Sequence, residues 1–167
     1  MHCLSGLCVK LLKFAFMADS DKEIVITRLL NAPCELVFEV WTSPEHVDKW
    51  WGPNGFTNIT SKMDVRVGGE WVYVMHGPDG MKFPNRIRFV EIVRPSKLVY
   101  LHDSGIDNDP QEFRVVVTFE TIGKQTKVTL TSVFKTKEAR DFVVREFGAI
   151  EGGKQHLEKL DRYISEL

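Results

Sequence analysis

The sequence predicts an α+β domain in which a strongly curved, seven-stranded antiparallel sheet surrounds one long C-terminal helix, with two short helices after the first strand. Three observations carry that expectation. Between Phe56 and Phe134 apolar residues recur at every second position, and the pattern is broken by Gly68-Gly69, Gly77 to Gly80, Arg94-Pro95-Ser96, Asp107 to Pro110 and Gly123-Lys124. Those breaks are too short for the crossover helices of a parallel sheet, so six strands should follow one another as an antiparallel meander. From Lys137 onward the alternation stops, and apolar residues fall at helical spacing to the end of the chain.

Glu23 to Leu30 reads as the opening strand, because Ile24, Val25 and Ile26 are β-branched and Asn31-Ala32-Pro33 ends the run. Pro33 suits the first turn of a helix, and Leu36, Val37, Val40 and Trp41 then share one face. A second short helix starts with Ser43 as N-cap, Pro44 at its first position and Glu45 in its first turn, and Gly52-Pro53 stops it. Within the meander, one face of the third strand carries Trp71, Tyr73 and Met75, and one face of the fourth carries Met81, Phe83, Ile87 and Phe89. The sixth strand repeats the pattern with Phe113, Val115, Val117 and Phe119. One side of the sheet is therefore apolar and has to be covered.

The last segment holds two stripes, Val143, Val144 and Phe147, then Ile150, Leu157, Leu160 and Ile164, with the second expected against the concave sheet face. Gly152-Gly153 inside this segment predicts a kink, a local break or a very close approach of helix to sheet. A curved sheet around a single helix leaves space beside it, so a pocket lined by aromatic side chains is expected.

With 167 residues, 43% hydrophobic and 27% charged, the chain has the size of one globular domain that buries roughly 70% of its unfolded surface without disulfides or metal. Its 22 Lys+Arg balance 23 Asp+Glu, which gives no general pull toward nucleic acid or an anionic membrane. Cys3, Cys8 and Cys34 form no C-x-x-C pair, and the five histidines, His2, His46, His76, His102 and His156, show no ligand spacing. A reducing, cytoplasmic setting is expected, with no metal ion and no cofactor. Asp103, Asp107 and Asp109 do not make a calcium loop, since position six from Asp103 is Asn108 and position twelve is Arg114. Phosphate-binding, dinucleotide-binding and serine-hydrolase motifs do not occur.

Residues 1–22 are read as a leader outside the domain of residues 23–167. Leu4, Leu7, Cys8, Leu11, Leu12 and Ala15 recur at helical spacing before the composition turns polar at Asp19 to Glu23. The segment is too short to span a bilayer, and Lys10 and Lys13 interrupt it as a secretory signal. Met17 offers a second start, so a disordered, non-native or alternatively translated extension is expected, with no stable membrane insertion.

The run R-L-L-N-A-P-C-E-L-V-F-E-V-W-T-S-P-E-H-V-D-K-W-W-G-P at Arg28 to Pro53 resembles the opening of the START-like (SRPBCC) superfamily. Later stretches agree: D-V-R-V-G-G-E-W at Asp64 to Trp71, F-V-E-I-V-R-P-S-K-L-V-Y at Phe89 to Tyr100, and G-A-I-E-G-G-K-Q-H-L-E-K-L at Gly148 to Leu160. More narrowly, the chain is similar to bacterial proteins related to the C-terminal domain of the activator of the ninety-kilodalton heat-shock chaperone's ATPase. The resemblance covers about Glu23 to Leu167 and implies a helix-grip fold with an internal cavity for hydrophobic or amphipathic small molecules. Two departures stand out. The eukaryotic activators carry an additional N-terminal domain that engages the chaperone, which a leader of 22 residues does not supply, and Gly153 stands where many relatives carry a bulky aromatic, which would enlarge the cavity.

Strand parity, together with the implied cavity, makes Trp71, Tyr73 and Met75 expected ligand-binding residues, along with Phe83, Ile87 and Phe89, Tyr100 and, at the mouth, Trp51. Of Trp50 and Trp51 only one is expected to point fully inward. Asp64, Arg66 and Glu70 beside Gly68-Gly69 read as a surface ion pair or as a site for a polar head group. The first functional reading is a cofactor-free binding protein, monomeric or weakly dimeric, whose partner is a hydrophobic small molecule. A second, implied by enzymes that some START-like domains host, is a cyclase or hydrolase with His102, Tyr100 and His156 as acid/base groups. The third, implied by the family's name-giving member, is a stress-response or co-chaperone module that binds a chaperone through an exposed surface, such as an apolar patch near Trp50 and Phe56.

Overall fold

In the computed structural model, which describes residues 21–167, the β-branched opening run forms β1 (Glu23–Leu30) and buries alternate side chains. The expected leader, save its last two residues, lies outside the described residues. Pro33 is the N-cap of α1 (Cys34–Thr42) rather than its first helical residue, and its carbonyl accepts from the Leu36 and Val37 N–H groups. Pro44 opens α2 (Pro44–Trp50) as the sequence predicts, with the Ser43 carbonyl, not its hydroxyl, accepting the first bonds. The meander then supplies β2 (Thr57–Met63), β3 (Glu70–His76), β4 (Lys82–Val93), β5 (Lys97–Asp103), β6 (Phe113–Ile122) and β7 (Gln125–Val133).

All neighbouring strands pair antiparallel in the order β1-β7-β6-β5-β4-β3-β2, so the first strand closes onto the last and the sheet stays open only at its β1 and β2 edges. Register shifts at Thr60/Lys62 and Phe89/Glu91 mark irregularities that bend and twist the sheet. Met81 precedes β4 and is exposed, so it does not join the apolar face expected for it.

The C-terminal segment breaks at Gly148, not at Gly152-Gly153. Gly148 takes a left-handed backbone (φ 59°) between α3 (Lys137–Phe147) and α4 (Ala149–Ser165), a conformation that favours glycine. The other two glycines lie within α4, and of the three outcomes expected for them the close approach is the one found. A Cβ on Gly153 would meet Ile26 Cγ1 at 3.0 Å, so the absent side chain lets α4 come down on β1 and does not simply widen a cavity. Leu157, Leu160 and Ile164 bury against the sheet, whereas Ile150 is 37% exposed and is no part of that contact. Arg28 on β1 adds two bonds to Asp161 Oδ2, at 2.8 and 2.9 Å.

Two outcomes test this packing. Leu160→Asp places an unpaired charge in the helix–sheet contact and is expected to cost about 3–5 kcal/mol in denaturant unfolding. Gly152→Ala, which meets only Pro53 Cβ at 3.8 Å, should stabilise the helix by about 0.5–1 kcal/mol, while Gly153→Ala should stabilise nothing until Ile26 is also cut to Ala. Equal gains at the two glycines would contradict the close approach.

Candidate functional site

The side chains that bind α4 to the sheet come from its second half, and the space lies under its first two turns. There Ala149, Gly152, Gly153 and His156 face an inner lobe of about 330 Å³. Across from them stand Ile24 and Ile26 of β1, Tyr73 and Met75 of β3, and Tyr100 and His102 of β5. A short helix crosses above, since α3 has no buried residue of its own and contributes Val143 and Phe147 to the wall. Met75, His102, Phe113 and Phe147 also border an outer lobe of about 450 Å³, whose rim carries Lys82, Asp103, Ser104 and Asp109. The two lobes therefore share a wall.

Of the residues expected to bind ligand, the structure brings Trp51, Tyr73, Met75 and Tyr100 to the inner lobe, and Phe83 with Met75 to the outer one. Trp71, Ile87 and Phe89 line neither lobe and sit in the closed core. Trp71 shows why: its ring lies 4.5 Å from Trp51 and 4.3 Å from Tyr73, and its Nε1 donates to Thr60 Oγ1 at 2.9 Å. Both Trp50 and Trp51 are buried, against the expectation that one would be. The Trp50 Nε1 donates to the Val40 carbonyl at 3.2 Å, so no exposed patch exists at this residue. Asp64 and Arg66 pair at 2.7 Å and Glu70 meets Lys62 at 3.2 Å, all outside both lobes and none on their lining.

His156 stands at the centre of an aromatic collar, with the rings of Trp51, Trp50 and Trp41 at 4.3, 4.9 and 6.1 Å. Its Nδ1 accepts from the Gly52 N–H at 3.0 Å, which leaves the proton of the neutral ring on Nε2. Three residues further along the helix, Lys159 Nζ donates to the Pro53 and Phe56 carbonyls at 3.3 and 3.2 Å. Together these bonds fasten the loop between α2 and β2 over the cavity. The sequence reading names His156 only as an acid/base candidate and misses Lys159 and the fastening role of both. Their signal was the i,i+3 spacing of His156 and Lys159 opposite a Gly-Pro loop that has backbone groups to satisfy.

His102 Nε2 lies 2.8 Å from Asn85 Oδ1 and 3.2 Å from the Tyr73 hydroxyl. Asn85 donates through Nδ2 to the Phe83 carbonyl, so its Oδ1 faces the imidazole and the Nε2 of His102 carries the proton. His102 keeps some accessible surface where it borders the cavity, yet enclosure by protein lowers its pKa from 6.5 to about 4, against the pull of Asp103 and Asp109. Burial takes His156 down to about 3, helped by the Lys159 charge and by His102. Burial also pushes both tyrosines up. No Asp, Glu, Lys or Arg lines the inner lobe, so at neutral pH the described lining is uncharged throughout. His102 and His156 share the cavity, but no hydrogen bond joins them among the described residues.

A curved antiparallel sheet that grips a C-terminal helix around an apolar space defines a START-like (SRPBCC) helix-grip protein. Within that class the chain belongs to the family of the Activator of Hsp90 ATPase homolog 1-like protein, whose model matches residues 31–165. It is similar to a solved protein of Arthrobacter aurescens, with 26% identity, 88% of each chain covered and a TM-score of 0.80. A protein of Nitrosomonas europaea gives 25% identity over 89% of this chain and 97% of that one, with a TM-score of 0.78. One from Mycobacterium smegmatis, at 24% identity over 86% and 91% with a TM-score of 0.75, shares the fold. Among curated proteins, none matches the chain. No helix among the described residues is long and apolar enough to cross a membrane.

The histidines give a prediction for pH. Their folded-state pKa values, about 4 and about 3, lie below the ordinary 6.5 of the unfolded chain, so the unfolded state binds more protons as pH falls below about 6.5. Stability is complete above that value and is lost progressively toward pH 4 and below. Melting should stay level from pH 7.5 to about 6.5 and decline from there to pH 5, and His156→Gln should remove about half of that decline, His102 supplying the rest. An unchanged slope in that variant would show that His156 is not held neutral.

Proposed function

We propose that the protein binds a hydrophobic or amphipathic small molecule in this two-lobed cavity. The observation that carries the reading is the inner lobe itself, about 330 Å³ of space with aromatic and aliphatic walls and a few inward polar groups. That is the construction of a small-molecule site. The outer lobe, with Lys82, Asp103, Ser104 and Asp109 on its rim, suits the polar end of an amphipathic ligand. A reducing, cytoplasmic setting agrees with Cys34, the one cysteine among the described residues, which is buried and free.

Proton-transfer catalysis by His102, Tyr100 and His156 fits the geometry less well. A general base works best with a pKa near the ambient pH, and burial holds these histidines at about 4 and about 3. One ring nitrogen of each is also committed to a structural bond. The co-chaperone reading rests on the family alone, since of Trp50 and Phe56, near which an exposed patch is expected, Trp50 is in the core and Phe56 is half-buried.

Titration of the full chain with N-phenyl-1-naphthylamine, an uncharged dye that brightens in apolar surroundings, tests the binding role. Dye fluorescence should rise saturably, and a saturating dye concentration of about 100 Kd should raise stability by about 2.7 kcal/mol. Met75→Trp, on the wall that the lobes share, is expected to weaken binding at least about tenfold. Ile59→Trp, on the exposed sheet face, should leave it unchanged. Absence of saturable binding, or equal binding by the Met75 variant, would count against the cavity.

A further inference from the structure

The inner lobe has a chemical bias that its apolar walls alone do not set. Tyr100 is 3% exposed and His156 is 9% exposed, and both border the cavity. Among the described residues the Tyr100 hydroxyl makes no hydrogen bond, and the only bond of the His156 ring is the one that Nδ1 accepts from Gly52. His102 differs, since its Nε2–H is directed at Asn85 Oδ1 and lies within reach of the Tyr73 hydroxyl oxygen. The buried, unpartnered side-chain atoms among the described residues are Asn58 Oδ1 and Arg88 Nε, so the Tyr100 O–H and the His156 Nε2–H, which meet no protein acceptor, open onto the cavity, as does the Tyr73 O–H. A donor that meets no protein acceptor and borders an apolar space is free to bond whatever fills that space.

We infer that the inner lobe selects an uncharged ligand bearing a hydrogen-bond acceptor, such as a ketone or ester carbonyl on an apolar ring system, which Tyr100 and His156 anchor. The inference rests on the proposed binding role. An acceptor is required because His156, with its Nδ1 occupied, presents only a donor. A carbonyl oxygen with two lone pairs takes bonds from either group. Charge is excluded because no lysine or arginine lines the lobe to pair with a carboxylate, and no aspartate or glutamate to pair with an ammonium. The outer lobe offers an anion Lys82 alone, against Asp103 and Asp109.

Three probes of one shape separate the possibilities: 2-acetylnaphthalene, 2-ethylnaphthalene and 2-naphthoate, each measured by equilibrium dialysis at pH 7.5 against the full chain. The ketone is expected to bind about a hundredfold or more tightly than the carboxylate. Tyr100→Phe and His156→Gln should each weaken ketone binding roughly two- to tenfold and leave the hydrocarbon unchanged, with melting curves confirming that both variants are folded. Naphthoate bound as tightly as the ketone would overturn the inference, as would ketone and hydrocarbon affinities that move together in both variants. In either case binding to the cavity would still stand. If none of the three is retained, the binding role fails and the inference falls with it.

Discussion

The concave face of a seven-stranded sheet is wider than any single helix that crosses it. With strands about 4.8 Å apart the face spans on the order of 30 Å, whereas a helix with its side chains is about 10 Å across. The chain covers the remainder unevenly. Phe38 and Trp41 of α1 pack edge-on against Phe119 of β6, both with ring centroids 5.5 Å away, and the second half of α4 closes over β1. Under the first two turns of α4 the space persists, with Tyr73 and Met75 of β3 and Tyr100 and His102 of β5 on its far wall. The cavity is thus a consequence of covering a broad curved surface with few helices, and its position follows from where α4 makes close contact. Gly153 belongs to that contact: without a side chain it lets the helix approach Ile26 of β1, and both residues border the cavity.

Helix position in turn decides the polarity of the site. His156 and Lys159 lie on one face of α4, and both reach the loop that follows Trp51, one by accepting a backbone N–H and the other by donating to two carbonyls. A loop that passes over an apolar cavity would otherwise bury unpaired backbone groups. The same bond that satisfies Gly52 fixes the tautomer of His156, and the three surrounding tryptophans remove the water that would stabilise its charged form. Structural closure and chemical neutrality come from one arrangement.

Most of the fold is legible in the sequence because it rests on local signals. Period-two runs and Gly/Pro/Asn punctuation place all seven strands, and Ser43-Pro44 places α2. What escaped depends on distance through space. Trp71, Ile87 and Phe89 have the parity of cavity residues, yet parity tells which face a side chain takes and not how far it lies from the helix that covers it. Gly148 and Gly152-Gly153 look equivalent as helix interruptions, but only the first needs a left-handed backbone, while Gly153 answers to Ile26, 127 positions away in the chain. Trp50 and Trp51 were expected to point apart because one helix has one inner face. Trp51 has already left the helix as its C-cap, with an extended backbone, so both rings turn inward.

The aspartates whose spacing excludes a calcium loop shape the turn after β5. Asp109 accepts from the Ser104 hydroxyl at 2.6 Å and from the Gln111 N–H at 2.8 Å, and these bonds hold its carboxyl below the ordinary range. Asp103, almost wholly buried, is gripped by Arg86 at 3.0 and 3.1 Å and by Arg88 at 3.2 Å, and Arg88 also pairs with Glu112. A buried charge is tolerable only when its partners are supplied within the fold, and here they are supplied by β4. The loop between β5 and β6 is shaped by these bonds, and it forms a wall of the outer lobe. Its carboxylates are already paired, so in the proposed site the rim meets the polar end of a ligand chiefly through Lys82, while the neutral donors deeper in the cavity act where a single hydrogen bond is strengthened by the absence of competing water.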